Sequence, residues 1–369
     1  MPAGSGPNVV AVNPVTNKIY VANVGSNNVT VIDGATNETA TVPAGTLPWA
    51  VAVNQVTNQI YVPNEFSNNV TVIDGATNAT TTVPAGFYAF AVAVNPVTNK
   101  IYVANEYGNT VTVIDGATNA TVTVPSGGTP YAVAVNPVTN QVYVANQGSN
   151  DVTVIDGATN AFTAVAAGSG PYDIQVNPVT NRVYVANSND GTVTVIDGAT
   201  NATTTVVAGS GPDAVAVNPV TNQVYVANSG SNNVTVIDGA TNATATVAAG
   251  GNPAAIAVNP VTNQAYAANQ DSNDVTVIDG AGGAGTPPDP QPAAFIPNDG
   301  EREHGRLQCA GREPGRRPRI LPVVSEQCCR IRGHRFDLCH KQCDIGERRK
   351  LRLSCNRPGR RCCQQPGDA

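Results

Sequence analysis

The sequence predicts an all-β protein: a seven-bladed β-propeller of 41-residue, four-stranded repeats, followed by a largely disordered tail. Three observations lead there. The segment Val-Ile-Asp-Gly recurs with its carboxylate at Asp33, Asp74, Asp115, Asp156, Asp197, Asp238 and Asp279, a step of 41 residues every time. Each unit holds short runs of β-branched and aromatic residues separated by turn formers. A four-stranded meander cannot bury both of its faces alone, whereas seven stacked radially can. A β-solenoid is the rival architecture, but its rungs are usually shorter and need no hairpin turns in each unit. The propeller is expected over residues 1–285 and the tail over 286–369.

Within one unit, residues 50–54, 59–62, 69–73 and 80–83 read in order as the four strands. Between the first two, the run Asn95-Pro96-Val97-Thr98-Asn99 puts Pro where a type I turn needs it and ends on an Asn able to take the left-handed conformation. Asp115-Gly116 supplies a second reversal after the third strand. The same step carries one Asn per unit from Asn13 to Asn259 and one Tyr from Tyr20 to Tyr266.

Residues 12–23, Val-Asn-Pro-Val-Thr-Asn-Lys-Ile-Tyr-Val-Ala-Asn, followed by Val-Thr-Val-Ile-Asp-Gly at 29–34, resemble the YVTN family of β-propeller repeats. The resemblance recurs in all seven units, about three quarters of the chain. It implies a surface-layer or extracytoplasmic protein related in fold to lactonase-like propellers. It also implies that the Ala-Val-Ala-Val strand is innermost and the Thr-x-Thr-Val strand outermost.

Composition divides the chain. Residues 1–280 hold Lys18, Lys100 and Arg182 against 16 acids, net −13, while 281–369 hold 17 bases against 10 acids, net +7. All eight Cys and all three His lie in the second part, so the propeller carries no thiol and no imidazole. That removes the commonest nucleophiles, bases and transition-metal ligands from it. No run of 18 apolar residues occurs, so membrane insertion is not expected. A Cys-free, Lys-poor, acidic body tolerates an extracellular or cell-surface setting, although no signal peptide is visible. The triplets at Asn37 and Asn78 have the glycosylation pattern but fall out of the repeat and weigh little.

The repeat is disturbed at both ends. Met1-Pro2-Ala3-Gly4 aligns with Val42-Pro43-Ala44-Gly45, so Met1 occupies a Val position, and a natural chain beginning further upstream is expected. After Asp279-Gly280 the repeat breaks, leaving the seventh unit without an obvious fourth strand. Its open flank invites edge-strand association, unless 293–296 folds back as a substitute. The Arg- and Cys-rich text beyond could be a zinc module, a disulfide knot, a nucleic-acid tail or an out-of-frame translation. It contains no Cys-x-x-Cys pair, and its bases lack interleaved aromatics, so neither a zinc cofactor nor a nucleic-acid partner is expected. Residues 337–344, read one nucleotide later, permit Ile-Tyr-Val-Thr-Asn-Asn-Val-Thr, and 360–364 permit Ala-Val-Ala-Val-Asn. The frameshift is therefore the favoured reading.

Seven equivalent Asp residues share one environment, whereas a catalytic pair needs two environments that push its pKa values apart. Turn hydrogen bonding is the expected role of these Asp residues and of the Asn13 and Asn17 series. The Tyr20 series is expected to pack between blades. No catalytic residue, metal site or cofactor is expected. The alternative is a lactonase-like hydrolase acting at the channel mouth.

Specialisation belongs where the copies differ. The position aligned with Asn8 reads Trp49, Phe90, Tyr131, Tyr172, Asp213 and Ala254. It precedes the innermost strand, so four aromatics are expected in an arc around one channel mouth. The loop between the second and third strands opens on the same face, and there Glu65-Phe66 and Glu106-Tyr107 replace smaller residues. Phe87 and Tyr88 extend the cluster. Flat apolar faces with a carboxylate rim suit a glycan or a protein partner, or else the rings plug the channel. Joint replacement of Trp49 and Tyr131 by Ala is expected to abolish binding if the arc binds.

Overall fold

The computed structural model describes residues 2–280. The expectations for the tail and for 293–296 fall outside them. Among the described residues every regular element is a strand, arranged as seven antiparallel sheets in chain order, six of four strands and one of three. The seven sheets are the blades of a seven-bladed β-propeller.

Blade 3 shows the pattern. Its inner strand Ala89–Asn95 pairs with Lys100–Asn105, that strand with Thr110–Asp115, and the last with the outer strand Thr121–Pro125. The outer strand is exposed except at Val124, and the two middle strands are almost wholly buried, as strands sandwiched between sheets must be. Inner strands of successive blades lie side by side from Pro7–Asn13 through to Pro253–Asn259.

Asparagine makes the turns. Asn99 takes φ 52° and its counterparts from Asn17 to Asn263 do likewise, the left-handed conformation that Asn tolerates at little cost. Asn95 Oδ1 accepts from the N–H groups of Val97 and Thr98 at 3.0 and 3.3 Å. Its Nδ2 donates to Asn140 Oδ1 of the next blade at 2.8 Å, so one side chain shapes a turn and ties two blades together. The same tie recurs at all six junctions, from Asn13–Asn58 to Asn218–Asn263, at 2.7–2.9 Å. Asp115 Oδ1 accepts from the N–H groups of Ala117 and Thr118, both at 3.0 Å, and these bonds hold its carboxyl below the usual carboxylate range. Gly116 is glycine because the Asn99 carboxamide fills the space a Cβ would need.

Between blades the core is a face-to-face apolar layer. Tyr20, Ala22, Val29, Val31 and Val42 of blade 1 meet Val51, Ile60, Val62 and Ile73 of blade 2. Five further clusters repeat this at the following junctions. The Tyr20 series thus packs between blades, fully buried in blades 1 to 5. Each fully buried Val or Ile of these layers contributes about 1.5–3 kcal/mol of burial.

Two departures matter. In blade 2 the inner strand is only Ala52–Asn54, shorter than the expected 50–54. Pro63 stands there where the other second strands have Ala, and a residue without an N–H ends the ladder at Tyr61. The second departure is at the seam. Among the described residues blade 7 has three strands, Pro253–Asn259, Gln264–Asn269 and Asp274–Asp279, and the place of a fourth lies outside them. Among the described residues no core cluster joins it to blade 1. Val10 and Val12 are 59% and 52% exposed, and Val275 and Val277 are 57% and 42% exposed, although Val29, the counterpart of Val275, is fully buried.

Candidate functional site

The residues singled out by their departure from the repeat gather at one end of the propeller. The N–H groups of Glu65 and Phe66 donate to the carbonyls of Leu47 and Thr46 at 2.9 and 3.2 Å, and that of Trp49 donates to Pro63 O at 3.1 Å. Glu106 N–H likewise donates to Tyr88 O at 2.8 Å. The loops between second and third strands therefore sit against the segments that enter the inner strands.

The aromatics do not form one cluster. They form two sets, with no ring pair between them. The first is a ladder across four blades: Trp49 to Phe90 at 5.3 Å between centroids and 28° between planes, Phe90 to Tyr131 at 4.7 Å, and Tyr131 to Tyr172 at 4.4 Å. Tyr131 Oη donates to Tyr172 Oη at 2.9 Å. Burial, with the Tyr172 bond second, raises the Tyr131 hydroxyl well above its ordinary value, so it stays protonated. Phe90 is buried. Packed ring on ring, the four side chains tie together the segments that enter the inner strands of blades 2 to 5.

The second set is a knot on blades 2 and 3. Tyr88 lies at its centre, with Phe66, Phe87 and Tyr107 set edge-on around it at 5.3, 4.6 and 4.6 Å. Tyr88 itself takes φ 59°, a left-handed conformation unusual for a bulky residue, which swings its ring between the loops. Phe66, Phe87 and Tyr107 are each more than half exposed. Glu65 and Glu106 stand beside them. Desolvation raises both carboxyls above their ordinary values, and Glu65 adds a repulsive push on Glu106. Glu106 in turn raises the Tyr107 hydroxyl. A cation between the two carboxylates relieves that repulsion.

Asp213, at the far end of the ladder position, accepts from Ser188 Oγ at 2.9 Å and faces neither set of rings in stacking contact. Asp173, next in sequence to Tyr172, is not among the residues that the sequence singles out. It stands where the other copies have Ala or Val, and that lone acid in an apolar column was the available signal. Its Oδ2 accepts from Val215 N–H of blade 6 and its Oδ1 from Ile174 N–H, both at 2.8 Å. The residue keeps some exposure overall, but its carboxylate is enclosed, and desolvation pushes its pKa up to about 6 against those two bonds. Among the described residues no three His, Cys, Asp or Glu side chains stand together as a metal site.

A family model described as a lactonase, seven-bladed β-propeller matches residues 2–160 and again 156–286. The chain belongs to that family. Against solved structures this lactonase-family propeller is similar to Kuenenia stuttgartiensis hydrazine synthase, with a TM-score of 0.61 and 21% identity over 76% of this chain and 97% of that one. At that identity the likeness bears on the fold. No curated protein matches this lactonase-family chain.

Proposed function

We propose that this protein is a non-catalytic propeller scaffold of the cell surface that binds a partner protein through a basic, apolar peptide segment held on the knot of Phe66, Phe87, Tyr88 and Tyr107. The observation that carries this reading is three exposed rings around Tyr88 with the carboxylates of Glu65 and Glu106 adjoining them on the same two loops. Apolar side chains fill the spaces between edge-on rings, and a Lys or Arg of the same segment meets Glu65 and Glu106. The surface setting rests on the repeat's resemblance. The absence of His and Cys from the propeller favours binding over hydrolysis.

Isothermal titration calorimetry with a Lys-Leu peptide is expected to give a saturable binding response, with an acidic Glu-Leu peptide and chito-oligosaccharides giving no response. Phe87→Ala with Tyr107→Ala is expected to weaken the response at least ten-fold, equal to about 1.4 kcal/mol. Saturable binding of the oligosaccharide alone, or peptide binding indifferent to the double variant, overturns the reading. Turnover of simple lactones that depends on Mg²⁺ or Ca²⁺ overturns the non-catalytic part.

A further inference from the structure

We infer that blade 7 of one chain packs head-to-tail on blade 1 of a second copy, across the two sheet faces that the ring leaves open. Every internal junction joins the same two surfaces, the face carrying the Tyr20, Val29 and Val31 series on one blade and the face carrying the Val51, Ile60 and Val62 series on the next. Six junctions use up six copies of each. What remains is one of each kind, Val275 and Val277 on blade 7 and Val10 and Val12 on blade 1, all exposed.

The polar groups at these faces are complementary as well. Asn13 Nδ2 donates to Asn58 Oδ1 at the first junction, and the counterparts at the seam are Asn259 and Asn17. Among the described residues Asn259 Nδ2 has no acceptor and Asn17 Oδ1 no donor, whereas the other six pairs are made. Asn27 Oδ1 accepts from Leu47 N–H at 3.0 Å, a tie repeated by Asn68, Asn109, Asn150 and Asn232. At the seam its members, Asn273 Oδ1 and Gly6 N–H, are also unused among the described residues. Apolar residues, donors and acceptors therefore match a junction already formed six times, and a second copy supplies each missing half. Because the two faces differ, the contact is heterologous and can extend from copy to copy.

The test is sedimentation velocity on the full chain over a dilution series. The wild type is expected to associate as concentration rises. Val10→Glu with Val12→Glu, and Val275→Glu with Val277→Glu, each spoil one face and are expected to be monomeric alone. An equimolar mixture of the two is expected to form dimers that grow no further, since one good face of each kind survives. Asn17→Ala and Asn259→Ala are milder and should each raise the association midpoint about three- to ten-fold, the effect of one hydrogen bond. A wild type monomeric throughout, with blade 7 closing on its own blade 1 or the segment after 280 covering the faces, overturns the inference. So does association indifferent to both Asn variants, or a mixture of folded face variants that stays monomeric.

Discussion

Asparagine does two jobs in each repeat, and only one of them shows in its identity alone. The left-handed turn at Asn99 is foreseeable from Pro-Val-Thr-Asn, since short polar side chains tolerate positive φ. The tie from Asn95 to the next blade is not, because it needs two turns 45 residues apart to arrive side by side. The aromatic residues divide in the same way. Phe90 lies buried between Trp49 and Tyr131, while Phe87, three residues earlier, is exposed on the knot. Phe90→Ala is expected to destabilise by about 3–5 kcal/mol, as buried Phe truncations do, and Phe87→Ala by no more than about 0.5 kcal/mol. Urea unfolding of the two variants checks this, and equal losses would mean the two sets of rings are one.

At the scale of the strand, inner-strand substitutions set how neighbouring blades respond to pH. Asp173 binds Val215 N–H across the junction of blades 5 and 6, and its pKa is raised to about 6 in the fold. A group raised on folding holds its proton longer in the native state, so stability falls as pH rises from about 4, the ordinary Asp value, to 6. The turn carboxylates Asp33, Asp74, Asp115, Asp156, Asp197 and Asp238 are lowered, chiefly by hydrogen bonds from the backbone and side chain of their own turns. Their contribution is complete above about pH 4 and is lost as pH falls further. Glu65 and Glu106 are raised as well and add to that decline, so thermal unfolding of Asp173→Asn is expected to show a shallower decline between pH 4 and 6 while keeping the acid limb. A decline undiminished in the variant would place its origin elsewhere. Blade 2 gives the companion lesson for strands: Pro63 was visible in the sequence, and its missing N–H shortens the strand beside it, yet periodicity alone read that strand as 50–54.

For the whole molecule, blade count and strand order were legible because a 41-residue period repeats local chemistry seven times. The division of the mouth aromatics into ladder and knot, and the enclosure of Asp173, depend on how different blades meet, and a period carries no such information. The open seam is of the same kind. Sequence pointed to an edge strand at Asp274–Asp279, and the structure adds two whole apolar faces, at Val10 and at Val275. The central claim is that one blade-to-blade junction, made six times and left open once, holds this molecule together. Hydrogen exchange on dilute protein tests it most directly. The account predicts strong, even protection in the second and third strands of blades 2 to 6, with Pro7–Asn13 and Asp274–Asp279 exchanging markedly faster and slowing as concentration rises. Protection at those two strands equal to the other blades at every concentration would contradict it, because the ring would then be closed within one chain.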